Sequence, residues 1–454
     1  MGIEDQEQSE SLPLKRSAPR MSSTHGTDIK QNSDSSQCIT TDERTTPQNN
    51  SYFGVLMHLL KSIIGTGVLT LPHAFKESGF VFGIFGTVFV IFLCTYAAYI
   101  LVYHSQEIRK KSKTKLLGFS DTCALICQHG PEAVQSFSMV FKYGVDAVIC
   151  IGSLLTNCAF LIFIAQSFHQ VFSYWFPHFI LSVEQYIIII SVLLLIICQI
   201  RELKHLVPFS IFANICLFVG LLLPLVHMFS ELHSPADFPA FTSVTKLPLF
   251  FGTVFFAADA MILYLPIENT MKNPAKFLGA TGALNVSMVI VGILYTLFGL
   301  FGFLRYGEDT KPSITLNLPI EEIPSQIVQL MLPISIMLTY VLVTYVMIEI
   351  IWNNYLQYKV RGSIKRNLAQ IVTRCSLVIL TGAVSIAVPK LELVISLVGS
   401  VGSSTLILLV PVTLDTIVRW DNDLGYFKWR LFKNILIGIF YVFILVSSIL
   451  ICFQ

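Results

Sequence analysis

The residues with the clearest potential for chemistry form a short glycine-rich stretch in the first long apolar segment. It reads Ile64-Gly65-Thr66-Gly67-Val68 and is followed by Pro72. Glycine and proline both disfavour a continuous helix, and in lipid a broken backbone survives only inside protein or beside a cavity. Secondary transporters bind substrates and ions at such breaks. Glycines also let two helices pack closely, so this stretch alone leaves both interpretations open.

A second stretch in a later apolar segment has similar features and carries an acidic side chain. It reads Phe256-Ala257-Ala258-Asp259-Ala260. Pro266 follows Asp259 by seven residues, as Pro72 follows Gly65. A charged carboxylate at this depth in the membrane is costly unless it faces a cavity or a partner, so Asp259 is a candidate for a functional site. The alternative interpretation is a protonated Asp that is hydrogen-bonded between helices. Because the two disruptions occur at matching positions, we favour a substrate site, formed by residues 64–68 and 256–260, over close packing.

Two broken helices side by side have a definite binding preference. The N-terminus of a half-helix exposes unpaired N–H groups and a positive dipole end, which suit a carboxylate. The free carbonyls at the opposite half-helix ends suit an ammonium group. The pair therefore predicts a site for a zwitterion.

A histidine precedes the first break and is a candidate proton carrier. His58 lies seven residues before Gly65, which is about 10 Å along a helix. Histidine is the side chain best suited to exchange a proton near neutral pH. The alternative is a histidine at the membrane boundary with a fixed hydrogen bond.

Motifs for catalysis or metal binding are absent from the sequence. It contains no nucleophile elbow, metal-ligand cluster or phosphate-binding loop, and we predict no enzyme activity, no cofactor, no metal and no nucleic-acid partner. Cys123 and Cys127 have a C-x-x-x-C spacing, but no further Cys/His set completes a zinc site. We interpret them as free thiols.

The composition indicates an all-α protein that crosses the bilayer many times. It is 54% hydrophobic and 13% charged, and its mean hydropathy is +0.69. Residues 1–48 are polar and lack the apolar region of a signal peptide; we predict a disordered cytoplasmic tail, followed by a transmembrane domain over residues 49–454. Eleven segments reach the length that a membrane span needs. They cover about 53–75, 79–103, 143–168, 185–202, 206–229, 249–270, 278–303, 325–351, 371–388, 391–414 and 432–452.

The distribution of basic residues predicts the orientation. With these segments, all but five of the 30 Lys and Arg fall on the side of the N-terminus. The five exceptions are Lys76, Lys246, Arg305, Lys311 and Lys390. The positive-inside rule then places the N-terminus in the cytoplasm and the C-terminus outside or in a lumen. Segments 1–5 and 6–10 predict a five-plus-five inverted repeat with one additional helix, and with discontinuous helices 1 and 6.

The sequence resembles the proton-coupled amino acid transporter (PAT) family, which is part of the amino acid/auxin permease group of the amino acid–polyamine–organocation superfamily. The motifs that carry the resemblance are His58-Leu59-Leu60-Lys61, Ile64-Gly65-Thr66-Gly67-Val68-Leu69, Leu71-Pro72, Pro248-Leu249-Phe250-Phe251-Gly252-Thr253, Leu265-Pro266-Ile267-Glu268-Asn269 and Pro389-Lys390-Leu391-Glu392-Leu393. Together with shorter matches, they extend through nearly all of residues 51–452.

The resemblance implies symport of small neutral amino acids (the glycine, alanine and proline class) with protons, by alternating access and without sodium. It assigns proton coupling to His58, and substrate binding to the stretch around Gly65, Thr66 and Gly67. Asp259 stands where the family usually has a glutamate in a Phe-Glu-Gly context, and it is a further candidate for proton coupling.

Two departures from the family pattern limit what the resemblance implies. The family's usual Phe-Glu-Gly triplet is replaced here by Ala258-Asp259-Ala260. This replacement leaves the substrate range and the transport competence open. The predicted outer loops at 170–184, 230–248 and 304–324 contain no cysteine, so the disulfide that many members have there cannot form. The alternatives are an amino acid sensor with little transport and a sodium-coupled or exchange transporter. The sequence does not distinguish a plasma membrane protein from a lysosomal one.

Overall fold

The structure is a computed structural model that describes residues 50–113, 118–178, 181–200, 203–229, 232–360, 362–420 and 424–452. The predicted tail, residues 1–48, lies outside the described residues. Apart from one isolated bridge between Asn50 and Met271, all regular structure in these ranges is helical. The all-α prediction is confirmed.

The α-helices follow one another with short connections. They are α1 (Tyr52–Ile63), α2 (Leu71–Ser78), α3 (Phe80–Ser112), α4 (Phe119–Gln128), α5 (Glu132–Gln135), α6 (Ser138–Trp175), α7 (Val183–Ile197), α8 (Leu203–Met228), α9 (Leu247–Ala257), α10 (Met261–Asn269), α11 (Ala283–Tyr306), α12 (Ile323–Ile351), α13 (Gln357–Lys359), α14 (Ser363–Ala387), α15 (Leu391–Leu397), α16 (Val410–Arg419) and α17 (Trp429–Cys452). Two π-helical segments, Val398–Ser403 and Thr405–Leu409, lie between α15 and α16.

The helix lengths are those of a polytopic membrane protein. In the described part of the chain, eight helices are long and apolar enough to cross a bilayer. A ninth candidate consists of α1 and the helical segment Thr66–Ser78, which meet at a bend of 44°. Two shorter apolar helices cover 183–197 and 212–228. Each of the eleven predicted segments coincides with one of these helices; eleven crossings and the inverted repeat stay predictions.

Several helices extend beyond the predicted ends of their segments. The helix predicted over 79–103 continues to Ser112, and the one predicted from 143 begins at Ser138. The extra turns contain polar residues such as Gln106, Arg109 and Lys110. Such residues are good helix formers, but they lower hydropathy, so an apolar criterion ends the segment too early.

The first predicted break is present, and glycine rather than proline marks it. α1 ends at Ile63, Gly65 is extended, and a 3₁₀ turn over Thr66–Thr70 leads into α2. Pro72 sits in the first turn of α2, where its missing N–H costs nothing.

The second helix is also interrupted, just before its proline. α9 ends at Ala257 and α10 begins at Met261, so the three residues between them are outside both helices. Pro266 lies inside α10. Asp is a poor residue for a helix interior, because its side chain bonds to nearby backbone groups instead.

The helices pack in two groups that meet at the broken helices. α11 packs against α1, α2 and α3, and α10 packs against α1 and α3. In the second group, α12 packs against α6 and α8, and α14 packs against α6 and α7. α15 and the π-helical segment after it contact both α9 and α6. The breaks therefore lie at the border between the groups.

Candidate substrate site

A small cavity lies against both breaks. Its volume is about 20 Å³, roughly the space that one water molecule needs. Thr66 and Thr70 line it from the first break, and Phe256 lines it from the end of α9. The remaining walls come from α6, α12, α15 and the segment before α12, through Ala159, Phe160, Phe163, Ser313, Ile336, Leu391 and Ile395. An amino acid does not fit in so small a volume, so binding requires the walls to separate.

The structure brings only two of the ten predicted substrate residues to this cavity, namely Thr66 and Phe256. Ile64 and Val68 instead line a separate apolar groove of about 630 Å³ against α8 and α11. Gly65 has open space on its side-chain side, with no heavy atom within 4 Å of a Cβ placed there.

Gly67 forms a close contact between the two broken helices. A Cβ at this position would lie 2.5 Å from the Cα of Ala257, which no side chain tolerates. Ala257, Ala258 and Ala260 are themselves buried. Close packing, one of the two interpretations left open by the sequence, therefore applies to Gly67, while Thr66 beside it faces the cavity.

Asp259 is held by a serine hydroxyl and does not line the cavity. Its Oδ2 accepts a hydrogen bond from Ser403 Oγ at 2.7 Å. Asp259 stands two residues before α10, whose N-cap residue is Ala260. Ser403 belongs to the π-helical segment after α15. The carboxylate thus joins the second break to the π-helical segment that contacts both α9 and α6.

His58 lies on the exposed side of α1. Val55, Leu59 and Ile63 form the buried face of this helix. Within the described residues, the His58 imidazole has no hydrogen-bond partner; only its carbonyl is engaged, by Ser62 Oγ at 2.8 Å. The fixed hydrogen bond of the alternative interpretation is absent from the described structure.

Tyr295 on α11 contacts both breaks, and the sequence reasoning missed it. Its Oη lies 2.8 Å from the carbonyl oxygen of Ile63 and 2.7 Å from that of Ala257. These two residues end α1 and α9, where carbonyls lack an intrahelical partner. The hydroxyl has one proton to donate to the two oxygens. The only sequence signal was a polar atom in an apolar helix, which needs some partner when buried.

A buried ion pair holds the C-terminal end of α10, the helix that follows the second break. Arg109 on α3 donates to both carboxylate oxygens of Glu268 on α10, at 2.8 and 2.7 Å, and Gln106 donates to the same group at 3.0 Å. Glu268 is fully buried, and a charge-assisted Arg–carboxylate contact is strong. The pair attaches α10 to α3, against which α9 also packs.

A metal site is not found in the described ranges. They hold no group of three or more His, Cys, Asp or Glu in a metal-binding arrangement. The nine cysteines described there are free, including Cys123 and Cys127.

Comparisons with known proteins agree over most of the chain. The model of a family described as transmembrane amino acid transporter protein matches residues 48–454. The proton-coupled amino acid transporter-like protein pathetic of Drosophila melanogaster is 34% identical over 394 residues, which are 87% of this chain and 83% of that protein. The Probable amino acid transporter skat-1 of Caenorhabditis elegans is 24% identical over 406 residues, 87% of each chain.

Proposed function

The chain belongs to the transmembrane amino acid transporter family, and from that premise we propose that it carries small neutral amino acids across the membrane together with protons. The observation that carries the proposal is the cavity between the two broken helices, at the border of the two helix groups. The substrates are of the glycine, alanine and proline class. The N-terminus is cytoplasmic, and the host membrane is the plasma membrane or the lysosomal membrane.

The first break supplies the groups for the substrate carboxylate. The helix that starts at Thr66 runs to Ser78, so its first N–H groups and positive dipole end lie beside the cavity. Asp259 stands two residues before α10, where its carboxylate would repel that of the substrate. The carboxylate therefore binds near Thr66, and the ammonium group binds toward the carbonyl end of α9 beside Phe256.

The position of the cavity supports alternating access as the proposed mechanism. Its walls come from both helix groups, so a shift of one group against the other opens it toward one side of the membrane or the other. The small volume corresponds to a state in which the site is contracted. A substrate selects the arrangement in which its two charged ends are paired.

Two groups are proposed to carry the coupling proton. His58 lies on the exposed side of α1, and its imidazole has no hydrogen-bond partner within the described residues. Asp259 is bonded to Ser403 in the π-helical segment that packs against both α9 and α6. Protonation of Asp259 would turn one carboxylate oxygen from an acceptor into a donor, which changes this contact and couples proton binding to the motion.

The test is uptake of labelled glycine, alanine and proline by cells that express the chain at their surface, at about pH 5.5 and about pH 7.5, with and without sodium. We expect uptake that acid stimulates and sodium does not affect. The His58→Ala variant should lose the acid stimulation, whereas substitution of His129, an exposed histidine directly after α4, by alanine should keep it.

Two outcomes would overturn the proposal. Binding of these amino acids without uptake, by protein present at the surface, would identify a sensor. Uptake that requires sodium, or a countersubstrate inside the cell, would exclude proton symport.

A further inference from the structure

A polar cavity lies on the side of the membrane that the basic residues predict to be cytoplasmic. Its volume is about 490 Å³, within the range of cavities that bind small molecules. It lies between the π-helical turn Trp352–Leu356, which follows α12, and the first turns of α14. Every lining residue is at least partly exposed, so the side chains can reach a molecule that enters. The lining residues are Trp352, Gln357, Gly362, Arg366, Asn367 and Gln370.

The chain around this cavity is basic. Between Glu349 and Glu392 the sequence contains no Asp or Glu. Four basic residues lie in this stretch close to the lining residues along the chain, namely Lys359, Arg361, Lys365 and Arg366. Within the part of the chain that the structure describes, Lys359, Lys365 and Arg366 make no ion pair. A surface of one sign of charge attracts counterions, so the cavity favours an anion.

The Arg366 side chain is positioned to bind such an anion. Its Nε donates to the carbonyl oxygen of Val360 at 3.3 Å. This contact orients the guanidinium and leaves the four N–H groups of its two terminal nitrogens. A planar guanidinium matches two oxygens of a phosphate group at once. A phosphate is therefore the anion that suits this position.

Exposed apolar and aromatic side chains place the cavity at the depth of the lipid headgroups. Ile364 and Leu368, in the first turns of α14, are 84% and 60% exposed. In a protein that crosses a bilayer, large apolar side chains so exposed contact hydrocarbon rather than water. Tyr355 and Tyr358 are also exposed, and tyrosine is enriched at the membrane–water interface. Arg366 lies between Ile364 and Leu368 in the sequence, so its charge is close to the phosphates of one leaflet.

We propose that this cavity binds the headgroup of a phosphorylated inositol lipid of the cytoplasmic leaflet. Arg366 pairs with a phosphate group, and Lys365 supplies a second positive charge. The amides of Gln357 and Gln370 bond to the inositol hydroxyls. Trp352 covers the apolar face of the inositol ring.

Other headgroups fit this cavity less well. An amide both donates and accepts hydrogen bonds, as the hydroxyls of a polyol require. The ammonium group of phosphatidylserine would need an acidic partner, and the sequence between Glu349 and Glu392 provides none. The inference takes the membrane orientation from the proposed function, but it does not depend on transport, because binding is measured without uptake.

The test is binding of a fluorescent, short-chain phosphatidylinositol bisphosphate to the purified full chain in phosphatidylcholine nanodiscs. Fluorescence anisotropy gives the Kd, and nanodiscs without protein give the background. Both faces of a nanodisc are accessible, so the result does not depend on the orientation of the protein. We expect saturable binding that an excess of short-chain phosphatidylserine does not displace.

Two substitutions test the residues assigned to the headgroup. Arg366→Gln should raise the Kd about fivefold, because a partly solvated charge-assisted hydrogen bond is lost. Lys428→Gln is the matched control, since it removes the same charge from an exposed residue outside the cavity, and it should leave the Kd within about twofold. Gln370→Leu keeps every charge and should raise the Kd about threefold, as the loss of one neutral hydrogen bond requires.

The possible failures are distinguishable. Equal Kd values for Arg366→Gln and Lys428→Gln, or an unchanged Kd for Gln370→Leu, would overturn the site. Displacement by phosphatidylserine would attribute binding to surface charge and overturn the choice of an inositol lipid. A soluble inositol phosphate that binds as tightly as the lipid would identify a free metabolite and overturn the choice of a membrane ligand. Each of these results leaves the proposed function intact, since only the uptake assay tests that function.

Discussion

Replacing Tyr295 by phenylalanine removes one hydroxyl at the point where the two broken helices meet. That hydroxyl lies within 2.8 Å of the carbonyls of Ile63 and Ala257, and the ring is fully buried. The substitution keeps the ring and its packing. Its effect therefore reports on the hydrogen bond alone.

The magnitude follows from the number of donors lost. A buried carbonyl left without its donor costs about 1–3 kcal/mol. Because one proton serves two carbonyls, we count a single loss, about 2 kcal/mol of unfolding free energy. In a protein of this size that corresponds to a decrease of roughly 2 °C in Tm.

The substitution should also act on the substrate, with the opposite sign. The carbonyls of Ile63 and Ala257 stand at the half-helix ends that we assign to the ammonium group. With the Tyr295 hydroxyl gone, these oxygens are available to the ligand, so the KM for uptake should fall about two- to fivefold, which is part of the energy of one hydrogen bond. Lower stability together with higher apparent affinity is the expected signature.

The assay is thermal unfolding of purified protein in nanodiscs, combined with uptake kinetics. Tyr264→Phe is the matched control, since Tyr264 is equally buried but its hydroxyl contacts only the sulfur of Met288, at 3.6 Å. It should lower Tm by less than about 1 °C. Equal Tm values for the two variants would refute the bridging role of Tyr295. A lower Tm with an unchanged or higher KM would confine that role to the fold.

Two further results are expected. Gly67→Ala should abolish uptake and destabilise the protein, because the added Cβ would meet the backbone of Ala257. Gly65→Ala is the control and should be transport-competent, because its Cβ would meet no heavy atom within 4 Å. Equal behaviour of the two variants in uptake and unfolding assays would contradict the packing assigned to Gly67. Burial raises the pKa of the Cys127 thiol from 9.0 to about 11, so at about pH 7.5 its thiolate fraction is about 100-fold below that of an unperturbed thiol. Because the side chain is also fully buried, alkylation followed by peptide mass spectrometry should show modification slower by at least that factor, and rising with pH up to about pH 11. Modification as fast as that of a small thiol would contradict this.

Much of the helical architecture was predictable, because lipid restricts the choice of structure. An apolar segment that must satisfy its own backbone hydrogen bonds has little alternative to a helix, and all eleven predicted segments coincide with helices. The break at Gly65 was equally predictable from glycine content. The positions of the prolines were less informative, since Pro72 begins α2 and Pro266 lies inside α10.

The composition of the site was less predictable, because spacing along the chain does not say which way a side chain points. Thr66 and Gly67 are neighbours, yet one faces the cavity and the other the backbone of Ala257. Asp259 stood out as a carboxylate at membrane depth, but the sequence could not show that Ser403, far along the chain, donates to it. Tyr295 had no motif at all. Its importance arises from the distance between two helix ends that only the folded chain brings together.

These contacts imply that substrate binding at the central site is an exchange of partners rather than a simple gain. In the structure, the Tyr295 hydroxyl serves the carbonyls of α1 and α9 as a substrate ammonium group would. A ligand ammonium group that takes this position must displace a hydroxyl that is already bonded there, so the net free energy of binding is small relative to the bonds formed. Weak net binding is what the proposed transport needs, because a substrate held too firmly on one side of the membrane cannot be released on the other.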